Sequence, residues 1–78
     1  MTEQEWRKEF ARRLRRIAHH NKDYNQKELA EASGISEVTI SRYYNGLRSP
    51  SGDNLVKLAR ALDCSIDELV MVDEMIVF

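Results

Sequence analysis

Between Gln26 and Ser41 the chain reads Gln26-Lys27-Glu28-Leu29-Ala30-Glu31-Ala32-Ser33-Gly34-Ile35-Ser36-Glu37-Val38-Thr39-Ile40-Ser41. Asn25 followed by Glu28 is a capping-box start, Gly34 suits the position just past a helix end, and Ser36 supplies a fresh N-cap. Two short helices are therefore predicted, with only Ile35 and Ser36 between the closing glycine and the second helix. So tight a link forces the helices to cross steeply rather than lie antiparallel. Gly34 fits because the turn needs a left-handed residue, and Ala30 fits because the second helix must come close at the crossing. Leu29, Ile35, Ile40 and Tyr43 are expected to point inward. The first three lock the pair together, and Tyr43 docks it on the rest of the domain.

The remaining segments are helical by period. Trp6, Phe10, Leu14 and Ile17 recur at helical spacing, and Thr2 with Glu5 is a second capping box, so a helix is predicted from about residue 3 to 20. It should end in the polar stretch Asn21-Lys22-Asp23. The two short helices run Gln26 to Ser33 and Glu37 to Asn45, the latter closed by Gly46. Pro50 prevents continuation, Ser51 caps a fourth helix from about Gly52 to Asp63, and Ser65 with Glu68 opens a fifth at Ile66. No strand-like alternation precedes residue 70. At 78 residues, 42% apolar and 32% charged, the chain makes one small domain, all-α with five helices.

The segment 26–41 resembles the Xre/Cro-CI-type helix-turn-helix family of phage and bacterial repressors. The resemblance continues through Asn45-Gly46-Leu47-Arg48-Ser49-Pro50-Ser51 and through Leu55 to Leu69, covering residues 13–70. It implies a compact five-helix lambda-repressor-like fold for residues 1–70. Three features depart from the family pattern. Tyr44 and Ala18 stand where the family commonly places a Glu and its Arg partner. Losing both costs far less than orphaning one buried charge, so Tyr44 is expected to fill the space by packing against His19. The loop before Asn25 is about one residue longer than usual. The tail Leu69 to Phe78 carries eight apolar residues in ten.

With Ile40 and Tyr43 inward, the opposite face of the third helix presents Glu37, Val38, Ser41, Arg42 and Asn45 as a stripe one turn apart. The family lays this helix in the DNA major groove, which makes Glu37, Val38, Ser41 and Arg42 the expected base readers. Arg42 is suited to the O6 and N7 of guanine, Val38 to a thymine methyl, and Glu37 to a cytosine amino group. As a negative charge near phosphates, Glu37 either specifies a base or lowers non-specific binding. Gln26 begins the second helix, where free N–H groups and the positive dipole end favour a phosphate, and the matching family Gln contacts the backbone. Lys27, Asn45 and Arg48 are the other expected phosphate contacts.

Charge counts give a weaker signal. Residues 1–50 hold ten Lys/Arg against seven Asp/Glu, and residues 51–78 hold two against six. Arg7 to Arg16 carries six basic residues and one acid, read here as a solvated or paired helix face. The single cysteine, Cys64, excludes an internal disulfide and reads as a small buried hydrophobe. His19 and His20 diverge on a helix, so no metal site is expected. Neither a cofactor, a catalytic set nor a small-molecule ligand is indicated. The charged start is unlike a signal peptide and no membrane span is foreseen, so the expected location is cytoplasmic.

These readings converge on a sequence-specific transcriptional regulator, a repressor that binds double-stranded operator DNA as a homodimer. The alternative is a protein-interaction module, such as an antitoxin or adaptor, that keeps the fold and uses the apolar tail. Residues 71–78 are a candidate dimerisation segment that pairs with a second copy as helix or strand; folding back as extra core is the next reading, and the cut end of a longer chain the third.

Overall fold

The computed structural model describes residues 2–70, and the tail of residues 71–78, with the roles expected of it, lies outside the described residues. Among the described residues there are five α-helices: α1 (Glu3–Ile17), α2 (Gln26–Ser33), α3 (Glu37–Tyr44), α4 (Gly52–Leu62) and α5 (Ile66–Leu69). Each begins where a short polar side chain accepts a hydrogen bond from an otherwise orphaned amide. Thr2 takes the N–H of Glu5, Asn25 that of Glu28, Ser36 that of Thr39, Ser51 that of Asn54 and Ser65 that of Glu68. The reciprocal half of the capping box forms at Asn25 and Ser65. At Thr2 the Glu5 carboxylate accepts instead from the threonine hydroxyl at 3.0 Å.

Helices of four to fifteen residues are marginal in water on their own, so packing decides whether they persist. The core is drawn from all five. Phe10, Leu14 and Ala18 from the first segment meet Leu29 of α2, Ile40 and Tyr43 of α3, Leu58 and Leu62 of α4, and Leu69. Most of these are completely buried, each contributing about 1.5–3 kcal/mol of transfer free energy. An aromatic file links α1 to α3: Trp6 stacks on Phe10 at 5.8 Å, and Phe10 meets Tyr43 edge-on at 5.6 Å. The Tyr43 hydroxyl accepts from Asn54 Nδ2 at 2.8 Å, fixing α3 to α4 on the other side.

The ends differ from the expected ones in small, explicable ways. α3 and α4 stop one residue early because Asn45 and Asp63 act as C-caps, Asp63 in the left-handed region at φ 53°. α1 gives way at Ala18 to one π-helical turn, Ala18–Lys22, closed by Asp23 at φ 53° with the Tyr24 N–H on the Ala18 carbonyl at 3.2 Å. The surplus residue expected in this loop is thus taken up as a wider helical turn. That turn keeps Ala18 buried and lets Asn21 Nδ2 donate to the Leu62 carbonyl at 2.9 Å, closing the end of α4.

The wider turn also overturns the predicted contact between Tyr44 and His19. It carries His19 over Asp23, where Nδ1 and Oδ1 lie 2.8 Å apart, and leaves the imidazole 83% exposed. Tyr44 is half-buried against the core instead, and burial pushes its hydroxyl pKa up, opposed by the charge of Arg15. Cys64, expected to be buried, is half-buried against the core. Burial, reinforced by Glu68 and Asp63, pushes its thiol up to about 11, the opposite of an activated nucleophile.

Candidate nucleic-acid interface

The geometry of the interface is set by the turn between α2 and α3. Gly34 adopts φ 74°, and its N–H donates to the Ala30 carbonyl at 2.9 Å. A Cβ there would meet no atom within 4 Å, so it is the backbone angle, and not lack of space, that calls for glycine. Sequence reasoning passed over Ser33. Its buried hydroxyl donates to the Leu29 carbonyl at 2.7 Å and accepts from the Ile35 N–H at 3.3 Å, which stitches the end of α2 to the turn. The signal available for it was a serine just ahead of a closing glycine, a position that favours local side-chain to backbone bonds. Leu29, Ile35, Ile40 and Tyr43 are all buried, as the spacing predicts.

Burying that face of α3 turns the other outward. Glu37, Val38 and Arg42 are exposed and Ser41 is half-buried. Val38 leaves 61% of its surface in solvent. These four residues, with Gln26 from the first turn of α2, line one open groove of about 420 Å³. Gln26 lies at the α2 N-terminus, where unpaired N–H groups and the positive dipole end favour anions. Among the described residues no carboxylate pairs with Arg42, so its guanidinium is unengaged. Glu37 sits in the first turn of α3, where a negative charge also favours the helix itself.

The other three expected contacts stand outside this groove. Lys27 is exposed beside Gln26, and Arg48 is exposed in the loop after α3, next to Leu47 at 66% exposure. Asn45 is exposed too, but its side-chain amide donates to the Ser41 carbonyl at 2.8 Å. One of its hydrogens is therefore taken up in closing α3.

The α1 cations are, as expected, largely paired. Arg7 bonds Glu3 at 2.7 Å and Ser49 Oγ at 3.3 Å; Arg12 and Arg13 share Glu9; Arg13 also reaches the Glu68 carbonyl at 3.3 Å. The Arg12 hydrogen bond above all holds the Glu9 carboxyl below the usual carboxylate range, and the charges of Arg12 and Arg13 add to it. Arg15 departs from this pattern, for its Nη1 donates to the Tyr44 carbonyl at the end of α3.

Comparison with known proteins agrees with this geometry. A family model described as helix-turn-helix matches residues 12–69. The chain is 43% identical over 56 residues to the cryptic phage CTXphi transcriptional repressor RstR of Vibrio cholerae, covering 69% of this chain and 50% of that protein. It is 36% identical over 59 residues to the HTH-type transcriptional regulator DicA of Escherichia coli, covering 76% and 44%. The chain thus spans about half the length of the curated relatives it matches. The crystal structure of the restriction-modification controller protein C.AhdI from Aeromonas hydrophila superposes with a TM-score of 0.76 at 35% identity, over 81% of this chain and 94% of that one.

Proposed function

The chain belongs to the Xre/Cro-CI-type helix-turn-helix family, and on that premise we propose that it is a sequence-specific DNA-binding regulator of transcription, a repressor acting as a homodimer in the cytoplasm. The observation that carries this reading is the groove itself. An arginine without an ion-pair partner among the described residues, a protruding valine, a carboxylate and a hydroxyl converge with a helix N-terminus on one open surface. Base edges and a phosphate match this set of groups.

In this mechanism α3 enters the major groove. Arg42 bridges the O6 and N7 of a guanine, Val38 presses on a thymine methyl, Glu37 accepts from a cytosine amino group, and Ser41 bonds either neighbour, each good pair giving about 1–3 kcal/mol of discrimination. Gln26 and Lys27 hold a phosphate on one side of the groove, and Asn45 and Arg48 hold the strand on the other. Few phosphates are reached by one domain, so two copies on half-sites about one helical turn apart supply the affinity. Repression follows from occluding polymerase, with binding as the whole activity.

Selection of duplexes from a random pool, followed by a salt titration on the winner, tests this. The expected result is a shared half-site in the selected pool and a log-log slope of about −0.9 per phosphate contacted. Absence of enrichment, or binding indifferent to salt, would refute DNA reading and favour the interaction module.

A further inference from the structure

We propose that Arg15 is a positioning residue for DNA reading: it ties the C-terminal end of α3 to α1 and thereby sets the angle at which Arg42 and Val38 meet the bases. The inference rests on the DNA-reading function proposed above and extends it to a side chain outside the groove.

A helix leaves its last four carbonyls without partners, and at the end of α3 every one can be traced. The Ser41 carbonyl accepts from the Asn45 N–H at 3.1 Å, that of Arg42 from the Leu47 N–H at 2.9 Å, and that of Tyr43 from the Gly46 N–H at 3.2 Å. These donors follow directly in the chain. They close the helix but anchor it to nothing. The Tyr44 carbonyl is satisfied differently, by the guanidinium of Arg15, 29 residues earlier and on another helix. A cation suits the place twice over, as a charge-assisted donor and as a complement to the negative end of the helix dipole.

The surroundings make this contact a clamp. Arg15, Lys8 and Ala11 of α1 line a cleft with Tyr44 and Gly46. A Cβ on Gly46 would stand 3.5 Å from Lys8 Cα, so the two backbones run close together. The Phe10–Tyr43 contact and the Asn54 bond hold the buried side of α3, and Arg15 holds its outer end. Eight residues make α3 about 12 Å long, so a tilt of about 10° pivoting at one end moves the other by roughly 2 Å. A bidentate base contact survives only a fraction of that displacement. Loss of Arg15 is therefore expected to cost discrimination between sequences rather than attraction to phosphate.

The test uses the full chain with Arg15→Met, which keeps the aliphatic stem but removes the donor, and Arg15→Lys, which restores one. Affinities for the selected duplex and for a scrambled duplex of equal length are measured across a salt series, below the melting transition of every variant. Arg15→Met should lower the ratio of specific to non-specific affinity about tenfold. Its salt slope should stay within about 0.3 of the wild type, less than one phosphate's share. Arg15→Lys should recover the ratio to within about threefold. Should the Met variant fail to fold, Arg15→Gln replaces it, with the ratio expected to fall at least about threefold. An unchanged ratio in the variant lacking the donor overturns the proposal. So does a slope shallower by about 0.9 per bound copy with both affinities falling alike, which would make Arg15 a phosphate contact. If the wild type itself selects no duplex, the DNA-reading function falls and takes this inference with it; if the wild type discriminates and the variants match it, only the inference falls.

Discussion

α1 and α3 differ in a way that total charge conceals. Arg7 to Arg16 concentrates six basic residues, yet Arg7, Arg12, Arg13 and Arg15 are each engaged by a carboxylate, a hydroxyl or a carbonyl. α3 has the single basic residue Arg42, and among the described residues no acid pairs with it. A cation already bonded gives up that bond before it can take a base edge, whereas an unengaged one exchanges only water. Most of the dense positive charge of α1 is already committed, Lys8 and Arg16 excepted, whereas Arg42 has no such partner among the described residues. The proposed reading surface is built around Arg42.

The largest expected effect follows directly. Arg42→Ala should weaken binding to the preferred duplex by about 1–3 kcal/mol and relax the preference at one base position. Competition titration against single-base variants of the selected site measures both quantities. An unchanged preference would mean that the unpaired arginine is merely solvated and that the contrast between the two helices has no functional content.

Gln26→Ala comes next. Gln26 lines the same groove as Arg42 but stands at a helix N-terminus and faces a phosphate in the proposed complex. Its loss should cost about 1 kcal/mol, the worth of one neutral hydrogen bond, and should cost it equally on every sequence. Binding of the selected and scrambled duplexes, measured side by side, separates the two roles. A loss confined to the selected duplex would move Gln26 from anchoring to reading.

How much of this was legible depends on how local each cause is. The five helix starts were readable because an N-cap and its N3 partner are three residues apart and act without tertiary help. The inward set Leu29, Ile35, Ile40 and Tyr43 was readable because one turn geometry fixes all four. From that set, the outward stripe from Glu37 to Arg42 followed. The π turn was not readable, since one surplus residue is accommodated equally by a longer loop or a wider turn, and only packing around Ala18 selects between them. The false contact between Tyr44 and His19 descended from that ambiguity. Arg15 was legible only as an outer-face cation. Nothing in its neighbours announces a carbonyl 29 residues away, because the bond depends on how two helices cross.

The smallest effect probes the α1 side of the contrast. Glu9 neutralises Arg12 and Arg13 together, and their grip holds its pKa below the ordinary carboxylate value. A lowered folded-state pKa means stability that is present above the unfolded value, near 4.5, and lost as pH falls through the lowered one. Glu9→Gln should therefore destabilise the protein by no more than about 1 kcal/mol at neutral pH, as solvent-screened pairs do. The gap to the wild type should narrow as pH falls below the ordinary carboxylate value of 4.5, as thermal melting across a pH series would show. The same variant leaves two arginines without their acid. Because α1 stands apart from the reading groove, the salt slope of DNA binding should not move. A slope steeper by about 0.9 or more would mean that an α1 arginine, once released, reaches a phosphate, and that Glu9 had been masking part of the DNA face.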